Sequence, residues 1–162
     1  MQEVRYNHQR GNIPSAVADF PLFSRLDKNC LDEVLSNSSI VRLDAGEKFL
    51  EEGGKASGLY VLLRGKFQVS KNGRQVATVE NPGDLIGEMA FALDQPHQAT
   101  VTAINNASAL KIDSKVMDSL PGKHSDHFQH VIYRYLTELL AKRLAKTSEL
   151  LAGTSGGEVY YL

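Results

Sequence analysis

A glycine followed by a carboxylate, Gly87-Glu88, precedes a histidine, His97, in a stretch otherwise made of small and apolar residues. From Gly83 to Ala103 it reads Gly-Asp-Leu-Ile-Gly-Glu-Met-Ala-Phe-Ala-Leu-Asp-Gln-Pro-His-Gln-Ala-Thr-Val-Thr-Ala. Pro82-Gly83-Asp84 and Gly87 spell a turn, Glu88 to Leu93 are helix formers, Pro96 stops the helix, and Ala99 to Ala103 reads as a strand. The first N–H groups of a helix have no intrahelical partner and carry the positive end of its dipole. A glycine opening a one-turn helix therefore makes a cradle for an anion. A carboxylate in that cradle fits a ligand that also brings a hydroxyl for Glu88 to accept. The plainer reading of Glu88 is a capping carboxylate that holds the loop.

The surrounding elements must hold this stretch in place. Residues 1–19 are polar, with Gly11 and Pro14 as breakers, and read as an irregular arm with a short helix at Pro14 to Asp19. Asp27 is placed to cap a helix reaching about Ser36, with Leu31, Val34 and Leu35 on one face. Strand signals follow at short spacing: Ile40 to Leu43, Lys48 to Glu51, Leu59 to Leu63, Phe67 to Ser70 and Gln75 to Val79. Asn72-Gly73 between the last two marks a tight hairpin. Two more strands, Ala99 to Ile104 and Ala109 to Ile112, flank an Asn105-Asn106 turn. Many short strands and turns predict a mainly β fold of the barrel or roll kind. Ser114 opens a short helix to Leu120, and Pro121-Gly122 breaks it. From Ser125 to Leu151 a long helix carries Phe128, Val131, Ile132, Tyr135, Leu136, Leu139, Leu140 and Leu144 at steps of three and four. These cover more than one narrow stripe, so one face suits the β fold and another a partner helix. A Gly-rich linker from Gly153 leads to Tyr160-Tyr161-Leu162.

Taken together, Gly87-Glu88, the small residues after them, and Ala99-Thr100-Val101 resemble the phosphate-binding cassette of the cyclic nucleotide-binding domain. The resemblance runs from about Pro21 to Leu120 and includes the following helix. It implies a β-roll, jelly-roll-like, with flanking helices and a long C-terminal helix acting as lid and dimer seam. It also implies a ligand site at Gly87, Glu88, Met89, Ala90, His97, Gln98, Ala99 and Thr100, in which Glu88 takes the ribose hydroxyl and backbone N–H groups take the cyclic phosphate. Cyclic AMP or cyclic GMP is the implied ligand, and no other cofactor is expected. The family's cassette arginine does not match, because His97 stands in its place with Gln98 beside it. Arginine offers a permanently charged fork, whereas histidine is charged only near or below pH ~6.5 and donates singly. Weak or altered binding at neutral pH is therefore expected, with His97 read either as a surface loop residue or as a weak phosphate partner. The expected division is an arm at 1–19, the roll at 20–122, the lid helix at 123–152 and a flexible tail at 153–162. In channels of the ether-à-go-go class a related domain fills its own pocket with a short segment, and the Tyr160-Leu162 tail resembles it in aromatic and aliphatic character.

Composition excludes several classes. A net charge of −1 gives no electrostatic footprint for nucleic acid or an anionic membrane. No apolar run approaches the ~18 residues of a membrane span. A single cysteine, Cys30, leaves no intramolecular disulfide and suits a reducing cytoplasm. No helix-turn-helix follows the long helix, so no DNA-binding module is expected here. His124, His127 and His130 share a helix but not one face, which favours a solvated helix start over a metal site. A cupin-type enzyme wants a His-x-His pair on strands, and residues 9 to 96 contain no histidine. A non-catalytic regulatory sensor, homodimeric through its long helix and acting on an unidentified protein partner, is the leading expectation. The alternative is a ligand-free interaction or dimerisation module that has kept the fold.

Overall fold

Alternating side chains build two antiparallel sheets with no strand in common. The computed structural model describes residues 1–153. Its strands are β1 Gln2–Arg5, β2 Ser38–Leu43, β3 Lys48–Leu50, β4 Gly58–Arg64, β5 Phe67–Lys71, β6 Arg74–Val79, β7 Leu85–Ile86, β8 Thr100–Ala103 and β9 Ala107–Asp113. Its α-helices are α1 Ser15–Ala18, α2 Lys28–Ser36, α3 Glu88–Leu93, α4 Val116–Ser119 and α5 Gly122–Gly153. One sheet orders its strands β1-β2-β9-β4-β7 and the other β3-β8-β5-β6. The expected roll with flanking helices and a long final helix is what forms.

Strand β4 shows how the layers divide. Leu59 and Val61 face the helices, in a cluster with Leu22, Val34, Leu35, Phe128, Ile132 and Leu136. Tyr60 and Leu62 face the roll interior, in a cluster with Phe49, Phe67, Val101 and Ala109. Period-two alternation on a strand apolar on both faces thus supplies two cores at once. The hairpin between β5 and β6 turns at Asn72 and Gly73, both at positive φ (50° and 74°), as a tight two-residue turn requires. Asp27 caps α2 by accepting the Cys30 N–H at 2.8 Å.

Two readings of the sequence need correction. The arm is not irregular throughout: Gln2 to Arg5 pair antiparallel with Ser39 to Arg42. Glu3 secures this edge by accepting from the Ser39 hydroxyl at 2.6 Å and from Lys111 at 3.2 Å. The long helix begins earlier than Ser125, at Gly122: Leu120-Pro121 separates it from α4, and Gly122 already belongs to its first turn. The Tyr160-Leu162 segment and the 154–162 part of the tail lie outside the described residues. Among the described residues no helix is long and apolar enough to cross a membrane.

Candidate functional site

Gly87 sits at φ 76° and caps α3, so Glu88, Met89 and Ala90 form its first turn. The left-handed conformation is one that only glycine adopts without strain. Its back is also closely packed: a Cβ there would lie 3.4 Å from His97, Leu50 and Tyr60 alike. The turn before it is fixed to β4, since Leu62 N–H donates to the Asp84 carbonyl and Gly83 N–H to the Leu62 carbonyl, both at 2.8 Å. Glycine at 83 (φ 93°) lets Phe20 and Pro21 pack directly on the turn.

Glu88 is a buried carboxylate, its side chain 9% exposed, and the Arg143 guanidinium of α5 donates to its Oε1. A buried charge needs such a partner, since desolvation otherwise disfavours it strongly. The contact joins the cassette to the long helix across 55 residues of chain. Sequence reasoning gave Arg143 no role. It belongs to a run of basic residues that reads as a solvated helix face, and no local spacing links it to Glu88.

The other expected site residues separate. Ala90 is buried, whereas Met89 is 42% exposed and faces away from the core. His97 is not a surface residue: it is 6% exposed. The reason is its backbone, which donates to the Gly54 carbonyl (2.9 Å) and accepts from Gly53 N–H (2.8 Å), turning the ring inward onto Gly87. Burial pushes the imidazole below its ordinary value, so the ring resists the charge a phosphate partner would need. Its ring makes no hydrogen bond among the described residues. Gln98 is exposed and offers its carbonyl to Lys71. Ala99 is half-buried, and Thr100 accepts the Glu52 N–H at 3.1 Å. The structure thus brings Gly87, Glu88, Ala90 and His97 into one packed unit and leaves Met89 and Gln98 outside it.

The helix histidines do not converge. His127 Nε2 accepts the Asp27 N–H at 3.1 Å, His124 gives its carbonyl to Cys30 Sγ at 3.6 Å, and His130 is exposed. The first two are packed on α2, so the helix start is less solvated than expected. Burial pushes the Cys30 thiol up to about 11, which makes it an inert core group. A concavity of about 370 Å³ beside Lys28 and Lys123, and another of about 410 Å³ at the end of the roll, contain no Glu88 in their walls.

Comparison with known proteins agrees with this architecture. The chain is 29% identical over 140 residues to a cGMP-dependent protein kinase of Toxoplasma gondii, covering 86% of this chain and 13% of that protein. It is 26% identical over 121 residues to the Pycsar effector protein XpPycTIR of Xanthomonas perforans, covering 74% of this chain and 38% of that one. It therefore spans well under half of either relative. The fold superimposes on the catabolite activator protein of Thermus thermophilus with a TM-score of 0.68 at 24% identity, covering 83% of this chain and 63% of that one. It likewise matches the sensor domain of the transcriptional regulator DNR from Pseudomonas aeruginosa, with a TM-score of 0.64 at 22% identity and coverage of 80% and 91%. The family model of the cyclic nucleotide-binding domain matches residues 40–124, more than half of the sequence and the whole of the cassette, and the chain belongs to that family.

Proposed function

We propose that the chain is a non-catalytic regulatory sensor that binds a cyclic nucleotide weakly at the cassette and reports occupancy through α5. The observation that carries this is the Glu88–Arg143 pair, which ties the hydroxyl-accepting carboxylate to the long helix. A ribose hydroxyl arriving at Glu88 must share or displace that guanidinium, so ligand and helix act on one group. Gly87, Glu88, Met89 and Ala90 supply the N–H cradle, with His97 behind it and Gln98, Ala99 and Thr100 along the returning strand. The division into arm, roll (20–122), lid helix (123–152) and tail belongs to the same proposal. So do a homodimer through α5, a protein partner read by that helix, and a reducing cytoplasm as the place of action.

Weakness follows from the missing arginine. Losing the partner of a desolvated charge costs ~2–5 kcal/mol, a drop of roughly 30- to 5,000-fold in affinity. Isothermal titration of cyclic AMP, then cyclic GMP, at pH 7.5 tests the reading. The expected results are binding weaker than micromolar in the native chain and a gain of at least about 30-fold in the His97→Arg variant. Silence at millimolar ligand in both proteins removes the sensor reading. One observation favours a second reading in that case: Arg143 already occupies Glu88 as a ligand would. The chain would then be an interaction module whose cassette is filled by its own helix.

A further inference from the structure

The end of the roll holds an open concavity of about 410 Å³ whose walls include His97 but none of Gly87 to Ala90. It opens to solvent among exposed residues of the roll's rim, Met1, Glu3, Lys48, Glu51 and Lys55. It lies in the range of small-molecule sites, about 300–1,000 Å³. Its floor is apolar: Val41, Phe49, Leu50 and Tyr60 line it, and each is less than a tenth exposed. Its walls are charged, carrying Lys48, Lys55, Lys111 and the Met1 ammonium together with Glu3 and Glu51. Lys111, only 14% exposed, is paired with Glu3, and Lys48 is paired with Glu51 at 3.1 Å. Lys55 has neither an ion pair nor a hydrogen bond among the described residues, and it stands exposed at the rim. The Ser57 and Tyr60 hydroxyls meet at 2.9 Å below it.

We propose that this cavity is a second ligand site, distinct from the cassette, that takes a small amphipathic carboxylate. The apolar floor accepts an alkyl or aryl body, and Lys55 with the two hydroxyls accepts the carboxylate head. The site also touches the cassette from behind. Leu50, Tyr60 and His97 line the cavity and are the residues packed on Gly87, so a bound body presses on the wall that Gly87 forms.

Octanoate is the probe, with octanamide as its uncharged counterpart, and amide NMR of the isotope-labelled chain is the readout. The expected result is a saturable shift of the Leu50, Tyr60, His97 and Gly87 signals, with octanamide bound about tenfold more weakly. Lys55→Gln, at an exposed position, is expected to weaken octanoate about three- to tenfold and to leave octanamide unchanged. Ser57→Trp is expected to close the mouth and abolish both. Saturating cyclic AMP is expected to leave octanoate bound, so failure of the cassette reading does not touch this one. Unsaturable shifts up to about 10 mM octanoate, equal binding of the two probes, or shifts confined to α5 would each overturn the proposal.

Discussion

Three side chains decide how the cassette behaves: Glu88, Arg143 and His97. Glu88 is nearly enclosed while Arg143 is 45% exposed, so water screens one half of their pair. Removing a partner from a fully buried pair costs ~3–5 kcal/mol. With one side open, Arg143→Met is expected to cost about 1–2 kcal/mol in urea denaturation. Adding Glu88→Gln is expected to recover most of that loss, because no uncompensated charge remains. Equal losses that simply add would show that the two groups do not couple. For His97 the sign runs the other way from a salt-bridged histidine. Burial lowers its folded-state pKa below the unfolded value of about 6.5. The neutral ring therefore contributes fully above pH ~6.5, and the contribution is lost as pH falls through that value towards the folded pKa. Between pH 7.5 and 5.5 the native chain is expected to lose more stability than His97→Gln, in which this group cannot take up a proton. The location of the cassette and its carboxylate was legible in the sequence, because glycine, helix formers and proline mark its boundaries locally. The inward turn of His97 was not, since it depends on Gly53 and Gly54, more than forty residues away.

Helix α2 and the β5–β6 turn, which carry their own local signals, were read correctly, and β1, stabilised by its neighbours, was missed. Helix α2 carries its cap in sequence, Asp27 accepting from Cys30 N–H. Asp27→Ala is expected to lower stability by about 1 kcal/mol, measured as a shift in the urea midpoint with unchanged slope. The Asn72-Gly73 turn was legible for the same reason: its residue types match the positive φ values it adopts. Strand β1 had no such mark. Gln2-Glu3-Val4-Arg5 has one apolar residue and no periodic signal, and its order comes from pairing with β2 and from Glu3 bridging Ser39 and Lys111. The Ser39 hydroxyl, together with Lys111, holds the Glu3 carboxyl below the usual carboxylate range. Strand β4 lay between these cases. Its apolar run predicted a central strand, but only the packed structure shows that Leu59 and Tyr60 serve different cores.

The whole molecule is joined through α5, whose two halves have different surroundings. Phe128, Val131, Ile132 and Leu136 are buried against the roll and α2. Arg25 holds the middle of the helix, donating to Glu138 at 2.7 Å and lying 4.9 Å over the Tyr135 ring. Further along, Leu144 is 63% exposed, next in sequence to the Arg143 that holds Glu88. A large apolar side chain exposed one residue from the cassette contact is well placed for a second copy of the helix. If the chain dimerises there, seating Leu144 on a partner and seating Arg143 on Glu88 constrain the same helical turn. Ligand and dimer are then linked, and linkage is reciprocal: whatever factor ligand adds to dimerisation, dimerisation adds to ligand binding. Sedimentation equilibrium with and without cyclic AMP measures that factor. Leu144→Glu is expected to shift the chain to monomer by placing a charge in the seam, while leaving the urea midpoint of the monomer unchanged because the side chain is exposed. Arg143→Met, with the dimer face intact, is expected to keep the dimer but remove its dependence on ligand. A dimer indifferent to both substitutions would place the seam elsewhere, and the cassette would then have to signal through α3 and β8 instead of the long helix.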